Sequence, residues 1–318
     1  MSANRSEFDL IRDAFASGYP EAEHVLLGVG DDCSVVAPPS DTTLAQSIDT
    51  QVAGVHFPQD APAHLIAGRA LRCAASDLAA MGAVGQGFHL ALTLPDNQND
   101  FIDDFARGLR DTAKALNLPL LGGDTTSGKQ LIVTVAVQGW LPLEQGLKRH
   151  KARPGQDVWL TGPVGHAALA LPTVLANPAQ DDERTAAYYH PDVHLAFGHL
   201  LLSLASAAID VSDGLLQDAH HIARASGVDL NLDAQQIPTA VSQEHPQWNA
   251  CLSGGDDYQL LFTASSSARD RIRACALTAG LEHCNIIGSV YEATGDGRVI
   301  VQQNGQELTF ERTGYQHF

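Results

Sequence analysis

Residues 120–130 read LLGGDTTSGKQ, and the meaning of this stretch decides the fold. From Gly123 it runs G-D-T-T-S-G-K-Q, one residue short of the phosphate loop G-x-x-x-x-G-K-[ST]. That loop ends in Ser or Thr because the hydroxyl ligates the magnesium bridging the phosphates. Here the position is Gln130, and an amide is a poorer magnesium ligand. Asp124 is a second objection, because a loop that aims N–H groups at phosphate oxygens is spoiled by an unpaired carboxylate. Asp124 becomes useful only with a metal ion between it and the phosphates. The stretch is therefore not expected to be a phosphate loop, and Lys129 is expected in a solvent-exposed turn. The rest of the chain must then supply more metal-binding carboxylates.

The chain has 318 residues, enough for two domains with substantial cores. No apolar run is long enough to span a bilayer, and the polar start MSANRSEFDLIRDAF lacks the apolar centre of a signal peptide. These features predict a soluble cytoplasmic protein with no membrane partner. The formal net charge of −18 argues against nucleic acid, whose backbone needs a basic surface. The five cysteines are scattered without a C-x-x-C, which fits reduced thiols rather than a zinc site.

Periodicity predicts helices over residues 7–17, 62–81 and 100–116. In the last of these, Phe101, Phe105, Leu109, Ala113 and Leu116 recur at steps of three and four. LLGVGDDCSVVAPP, TTLAQSIDTQVAGVHF, GFHLALTLP and LIVTVAVQGWLP read as strands, the first two with polar interruptions. Residues 144–157, EQGLKRHKARPGQD, read as a linker carrying the one dense basic run. After it, DVWLTGPVGHAALAL and AAIDVSDGLLQDAHHIARASG each give strand, turn and helix, and VDLNLDAQQIP, YQLLFTA and NIIGSV give further strands. Residues 176–190 read as polar and exposed. The expectation is an α/β (α+β) chain of two domains, residues 1–150 and 151–318.

Several Asp residues fall at the ends of apolar strands or beside Gly, Ser or Thr. They are Asp31 and Asp32, Asp49, Asp124, Asp210 and Asp213, and Asp256 and Asp257. Any single one is explained by turn chemistry. Asp77 is not, because it lies on an apolar helix and needs a partner. Two carboxylates about 4 Å apart repel by roughly 4 kcal/mol at an effective dielectric near 20. Little Lys or Arg lies near these motifs, which leaves divalent cations as compensation. Oxygen-only ligands suit magnesium, and magnesium arrives with substrate phosphates. That points to metal-assisted phosphoryl transfer.

The segments GVGDDCSVV, SIDTQVAGVHF, SDLAAMGA, LLGGDTTSG, IDVSDGL, SGGDDYQLLFT and GYQHF together resemble the thiamine-monophosphate kinase family. That family belongs to a superfamily with aminoimidazole ribonucleotide synthetase and selenophosphate synthetase. The resemblance implies a two-domain PurM-like fold whose N-terminal sheets pair across a homodimer and whose C-terminal domain completes the active cleft. It implies ATP as co-substrate, several Mg2+ ions and direct transfer to thiamine monophosphate without a phosphoenzyme. By the same resemblance Asp32, Ser47, Asp49, Asp77, Asp124, Asp210 and Asp213 hold metal, Asp124 and Asp213 being the most critical. Ile48 stands where Thr is common and offers only its main-chain carbonyl. Gly123, Asp124, Arg149 and Ser212 would meet ATP, and His56, Asp256 and Arg312 the substrate.

The chain departs from the family pattern in four places. GGEDYE is GGDDYQ, TTR is TTS at Ser127, Arg312 stands at a substrate-stacking aromatic position, and GYDHF is GYQHF. These changes bear on substrate contacts more than on metal. Two other readings stay open. One is a non-catalytic ATP- and metal-binding sensor on the same fold, and the other is a different ATP-using enzyme of the superfamily. Cys33 as the first cysteine argues against selenophosphate synthetase, which carries a reactive residue nearer its N-terminus.

Overall fold

In the computed structural model, which describes residues 5–95 and 98–315, the N-terminal helix is short. α1 (Glu7–Leu10) runs into a single π turn over Ile11–Phe15. β1 (Val25–Leu27) and β2 (Val35–Val36) form a two-stranded antiparallel ribbon, and the turn between them holds GVGDDC. The final Gln316, His317 and Phe318 of GYQHF lie outside the described residues.

β3 (Thr42–Val52), α2 (Ala63–Met81), β4 (Val84–Leu94), α3 (Asn99–Leu116), β5 (Leu120–Ser127) and β6 (Ile132–Pro142) follow. The strands make one sheet in the order β3-β6-β4-β5. β4 and β5 are parallel because α3 carries the chain back between them, and β6 runs antiparallel to β3 and β4. The alternation in IVTVAV sends Val133, Val135 and Val137 to one face, with Phe88, Leu90 and Leu92 of β4, and all six are buried. Buried Leu65, Ile66 and Leu71 of α2 and Ile102, Phe105 and Leu109 of α3 complete that core. The two helices cross tightly, since a Cβ at Gly108 would lie 2.2 Å from the His64 main-chain oxygen. Asp104 of α3 accepts the His64 N–H at 3.0 Å and so satisfies the first turn of α2. On the sheet's other face Leu44, Ile48 and Val84 remain exposed.

LLGGDTTS is therefore a strand, followed by a turn and another strand rather than by a helix. A phosphate loop needs the helix N-terminus that is missing here. Lys129 is exposed in that turn, as expected.

The second half runs β7 (Gln156–Leu160), α4 (His166–Ala176), α5 (Ala186–Tyr189), α6 (Leu195–Leu201), β8 (Ala205–Asp210), α7 (Leu215–Ser226), β9 (Val228–Asp233), α8 (Trp248–Ser253), β10 (Leu260–Ser265), α9 (Arg269–Thr278), β11 (Asn285–Glu292), β12 (Val299–Gln303) and β13 (Gln306–Glu307). Seven strands form a mixed sheet ordered β13-β12-β9-β11-β7-β10-β8. Both faces are covered. Val158, Leu160, Ile209 and Leu261 pack with α7 and α8, while Trp159, Ala208, Leu260 and Phe262 pack with α6 and α9. Trp159 and Phe262 stack with centroids 5.9 Å apart.

The chain divides into two compact units, each built from separated segments. The first takes the described residues up to Leu78, Val84–Glu144 and Thr173–His190. The second takes Ala79–Ala83, Gln145–Pro172 and the described residues from Pro191. The expectation that residues 176–190 are exposed fails at one end of that segment. Thr185, Tyr188 and Tyr189 are buried, and the two tyrosine rings pack edge to face at 5.0 Å. Charged neighbours hide these few anchoring residues from a composition-based reading.

Candidate active site

In the first unit the β3 alternation turns Ser47 and Asp49 to one face and Ile48 to the other, where it is 70% exposed. Asp77, about one turn from the end of α2, finds its required partner in Ser47, whose hydroxyl donates to Oδ2 at 2.5 Å. Burial pushes the Asp49 carboxyl up, and the neighbouring Asp77 charge adds to the rise. His56 and Arg69 oppose it. Arg69 corrects the expectation that little cationic charge lies near these motifs. It sits on α2 at Arg69-x-x-x-Cys73-x-x-x-Asp77, a helical spacing that sets it on the face of Asp77. That spacing was the signal available in the sequence. His56 accepts the Val52 N–H at Nδ1, 3.0 Å, so its neutral tautomer carries the proton on Nε2.

Asp124 and Asp32 stand apart from this group. Strand register sets Asp49 in a row with Val135, Leu90 and Gly123, and Asp124 in the next row with Ala91 and Thr134. Successive rows face opposite sides, so Asp124 projects from the open face and is exposed. Asp32 is exposed in the turn of the N-terminal ribbon, its N–H donating to Asp31 at 2.8 Å. Gly123 has a structural reason to be glycine: a Cβ there would lie 2.0 Å from the Leu90 oxygen of β4.

In the second unit Asp210 ends β8 and is buried, and Ser212 and Asp213 lie in the turn before α7. Asp218, not singled out in the sequence, accepts the N–H groups of Asp213 at 3.1 Å and Gly214 at 3.2 Å. Burial first, then the charges of Asp210 and Asp213, push the Asp218 carboxyl up to about 8. Among the described residues, Asp213, Asp218 and His221 are the one trio of potential ligand atoms within 4.8 Å of one another. His221 also feels the charge of Arg149. Arg149 stands in an exposed turn pinned by the Ser226 hydroxyl, which donates to the Arg149 oxygen at 2.7 Å. The basic run thus brings a guanidinium to the α7 side that carries Asp213.

SGGDDYQ folds back on this turn. The Asp256 N–H donates to the Ser212 oxygen at 2.8 Å, and the Tyr258 N–H to Val211 at 2.8 Å. Gly255, Asp256 and Tyr258 all have positive φ (73°, 62° and 52°), and a Cβ at Gly255 would lie 2.4 Å from the Ser212 oxygen. Two non-glycine residues held left-handed within three positions mark a strained, over-determined turn. Asp257 is buried and accepts the Gly165 N–H at 2.8 Å, just ahead of α4. Gln259, one of the departures, is buried in the unit, where its oxygen accepts from Thr161 at 2.8 Å and meets His194 Nε2 at 3.0 Å. Burial lowers the His194 pKa. A neutral amide matches a neutral imidazole there, so this departure bears on packing. The C-terminal segment docks beside the same turn: Tyr315 N–H donates to the Asp213 oxygen, and Gln217 Nε2 bridges Asp213 Oδ2 at 3.1 Å and the Tyr315 oxygen at 3.0 Å. Arg312 is exposed.

Apart from the His221 imidazole, the donors in both groups are hard oxygens, and the mutual repulsion of the carboxylates is the kind that a divalent cation relieves. With metal chelated, Asp218 binds its proton more tightly in the folded state than in the unfolded one. Its stabilising contribution is therefore complete below the unfolded pKa of 3.8 and lost as pH rises toward about 8. Asp218→Asn keeps an oxygen acceptor for the two N–H groups. Its thermal midpoint in EDTA is expected to gain on the wild type between pH 5 and pH 8. A difference that stays constant with pH contradicts this assignment.

Comparison with known proteins adds the following. Residues 30–141 match the family described as AIR synthase related protein, N-terminal domain, and residues 153–301 match its C-terminal domain. The chain is 36% identical to thiamine-monophosphate kinase of Salmonella typhimurium over 98% of both chains. The crystal structure of thiamine-monophosphate kinase from Stenotrophomonas maltophilia is 33% identical, with a TM-score of 0.83 over 96% of this chain and 98% of that one. AaThiL complexed with AMPPCP and TMP shares the fold at a TM-score of 0.75 and 22% identity, over 100% of both chains.

Proposed function

This chain belongs to the AIR synthase related family, and from that membership we propose that it is a thiamine-monophosphate kinase, transferring the γ-phosphoryl group of ATP to thiamine monophosphate. The observation that carries the reading is 36% identity to such a kinase along 98% of both chains. The terminal phosphate oxygen of thiamine monophosphate attacks the γ-phosphorus, and the bond to the β-phosphate oxygen breaks, giving thiamine diphosphate and ADP. The attacking oxygen is already anionic, so no strong general base is required and no side chain acts as nucleophile.

Mg2+, when bound, neutralises and aligns the phosphate oxygens. In this reading Ser47, Asp49 and Asp77, with the Ile48 carbonyl, would hold Mg2+ in the first unit, Asp32 and Asp124 would each hold it at positions of their own, and Asp210 and Asp213 would hold it in the second unit. The raised carboxyls of Asp49 and Asp218 support cation binding in both groups. Arg149 and Ser212 serve ATP, and the charge of Arg149 at His221 supports a phosphate-facing role. Gly123 serves there by letting β5 approach β4, which keeps Asp124 in place. His56 offers Nε2–H to the substrate phosphate, and Asp256 and Arg312 serve the substrate's other end. Exposed Leu44, Ile48 and Val84 on the open sheet face support a homodimer. No helix among the described residues is long and apolar enough to cross a membrane, and five free cysteines support a cytoplasmic site.

Phosphorus NMR of the purified protein with ATP, Mg2+ and thiamine monophosphate tests this directly. Thiamine diphosphate and ADP in equal amounts are expected, with none in a sample lacking the thiamine compound. Absence of product at every Mg2+ concentration overturns the kinase. ATP binding without turnover would then identify a sensor, and consumption with another acceptor a different enzyme of the superfamily.

A further inference from the structure

Tyr188 is buried, although the segment that carries it is rich in charge. Its hydroxyl donates to the His56 main-chain oxygen at 2.6 Å. Its own carbonyl accepts from Arg69 Nη1 at 2.6 Å, and the Arg69 guanidinium lies 4.0 Å from the centre of its ring. Arg69 is itself only 3% exposed. Its stem is fixed in α2, so the guanidinium is a rigid platform on which Tyr188 is held by stacking and by a charge-assisted hydrogen bond. The phenol then holds the chain at His56 from one side, while the Val52 N–H holds the imidazole at Nδ1 from the other.

We propose that Tyr188 and Arg69 are positioning residues for thiamine monophosphate, fixing residues 52–57 so that His56 Nε2–H meets the substrate phosphate. The proposal rests on the kinase reading above. Residues 173–190, distant in sequence from His56 yet part of the same compact unit, then have a purpose. They bring to His56 a hydrogen bond from outside the β3–α2 connection, whose own bonds include those from His56 N–H to the Val52 oxygen and from Gly54 N–H to the Phe57 oxygen. The geometry predicts selectivity, because the Tyr188 bond acts on His56 and not on the groups assigned to ATP.

The test is a double-mutant cycle with steady-state kinetics on the full chain. Tyr188→Phe keeps the ring over Arg69 and removes one hydrogen bond, so KM for thiamine monophosphate is expected to rise about fivefold. KM for ATP and kcat stay within about twofold. In a His56→Ala background the same change is expected to alter KM for thiamine monophosphate by less than about twofold, because the residue it positions is gone. Arg69→Lys, which keeps the charge and loses the planar stack, shows the same selective rise. Equal KM increases for both substrates, or a full Tyr188→Phe effect without His56, show that Tyr188 only anchors its segment and overturn the proposal. A wild-type chain that makes no thiamine diphosphate overturns the kinase reading and this proposal with it.

Discussion

Asp124→Ala lowers kcat/KM for thiamine monophosphate by about a thousandfold or more, whereas Lys129→Ala remains within about threefold of the wild type. The structure makes this pair of variants a clean comparison. Asp124 is exposed on β5, and its side chain takes no hydrogen bond among the described residues. No hydrogen bond or ion pair among the described residues uses its charge, so its removal leaves the thermal midpoint within about 2 °C, as for surface substitutions generally. A large kinetic loss in a stably folded variant then reports a ligand contact. The mechanism explains the size of that loss. Phosphoryl transfer leaves little covalent chemistry to the protein, and most of the rate comes from placing positive charge at the phosphate oxygens. Lys129 lies in the turn after the same strand, and no helix follows it to make a phosphate cradle. A folded but inactive Lys129→Ala would restore the phosphate-loop reading of residues 120–130. Release of ADP and a melting curve on each variant decide the matter.

The parts of the structure legible in the sequence are those with a local period. IVTVAV alternates apolar side chains and becomes β6, and Phe101, Phe105 and Leu109 recur at helical steps and lie on α3. The need for a partner at Asp77 was legible from its apolar neighbours, and Ser47 meets it across thirty residues of chain. Asp218 was not legible, because an acid in the first turn of a helix looks like ordinary end-charge. Only the fold shows that two backbone N–H groups and two neighbouring acids surround it. The pairing of Gln259 with Thr161 and His194 has no local trace either, since those three residues come from separate parts of the chain. Residues 176–190 mislead for the same reason: burial of Tyr188 depends on Arg69, more than a hundred positions away.

Gly123→Ala is expected to destabilise the first unit by about 3 kcal/mol, with the loss concentrated in β5. The added Cβ would stand 2.0 Å from the Leu90 oxygen, 2.9 Å from its carbonyl carbon and 3.2 Å from its nitrogen. All three are main-chain atoms of β4, so no rotamer change relieves the clash and the strands must part. Among the described residues β5 is an edge strand paired only with β4, with no second neighbour to hold it. Hydrogen exchange at residues 120–127 should therefore accelerate more than in β6, and Asp124 should lose its place with the strand. Gly122→Ala is the internal control. Its Cβ would meet only the His89 side chain, at 3.3 Å, which can turn aside. The two variants separate two reasons for a glycine at 123. If the residue is small to admit nucleotide, Gly123→Ala keeps its melting temperature and raises KM for ATP alone. If it is small to admit β4, stability falls and β5 exchanges faster, and raising the ATP concentration restores neither. The distance to Leu90 favours the second outcome.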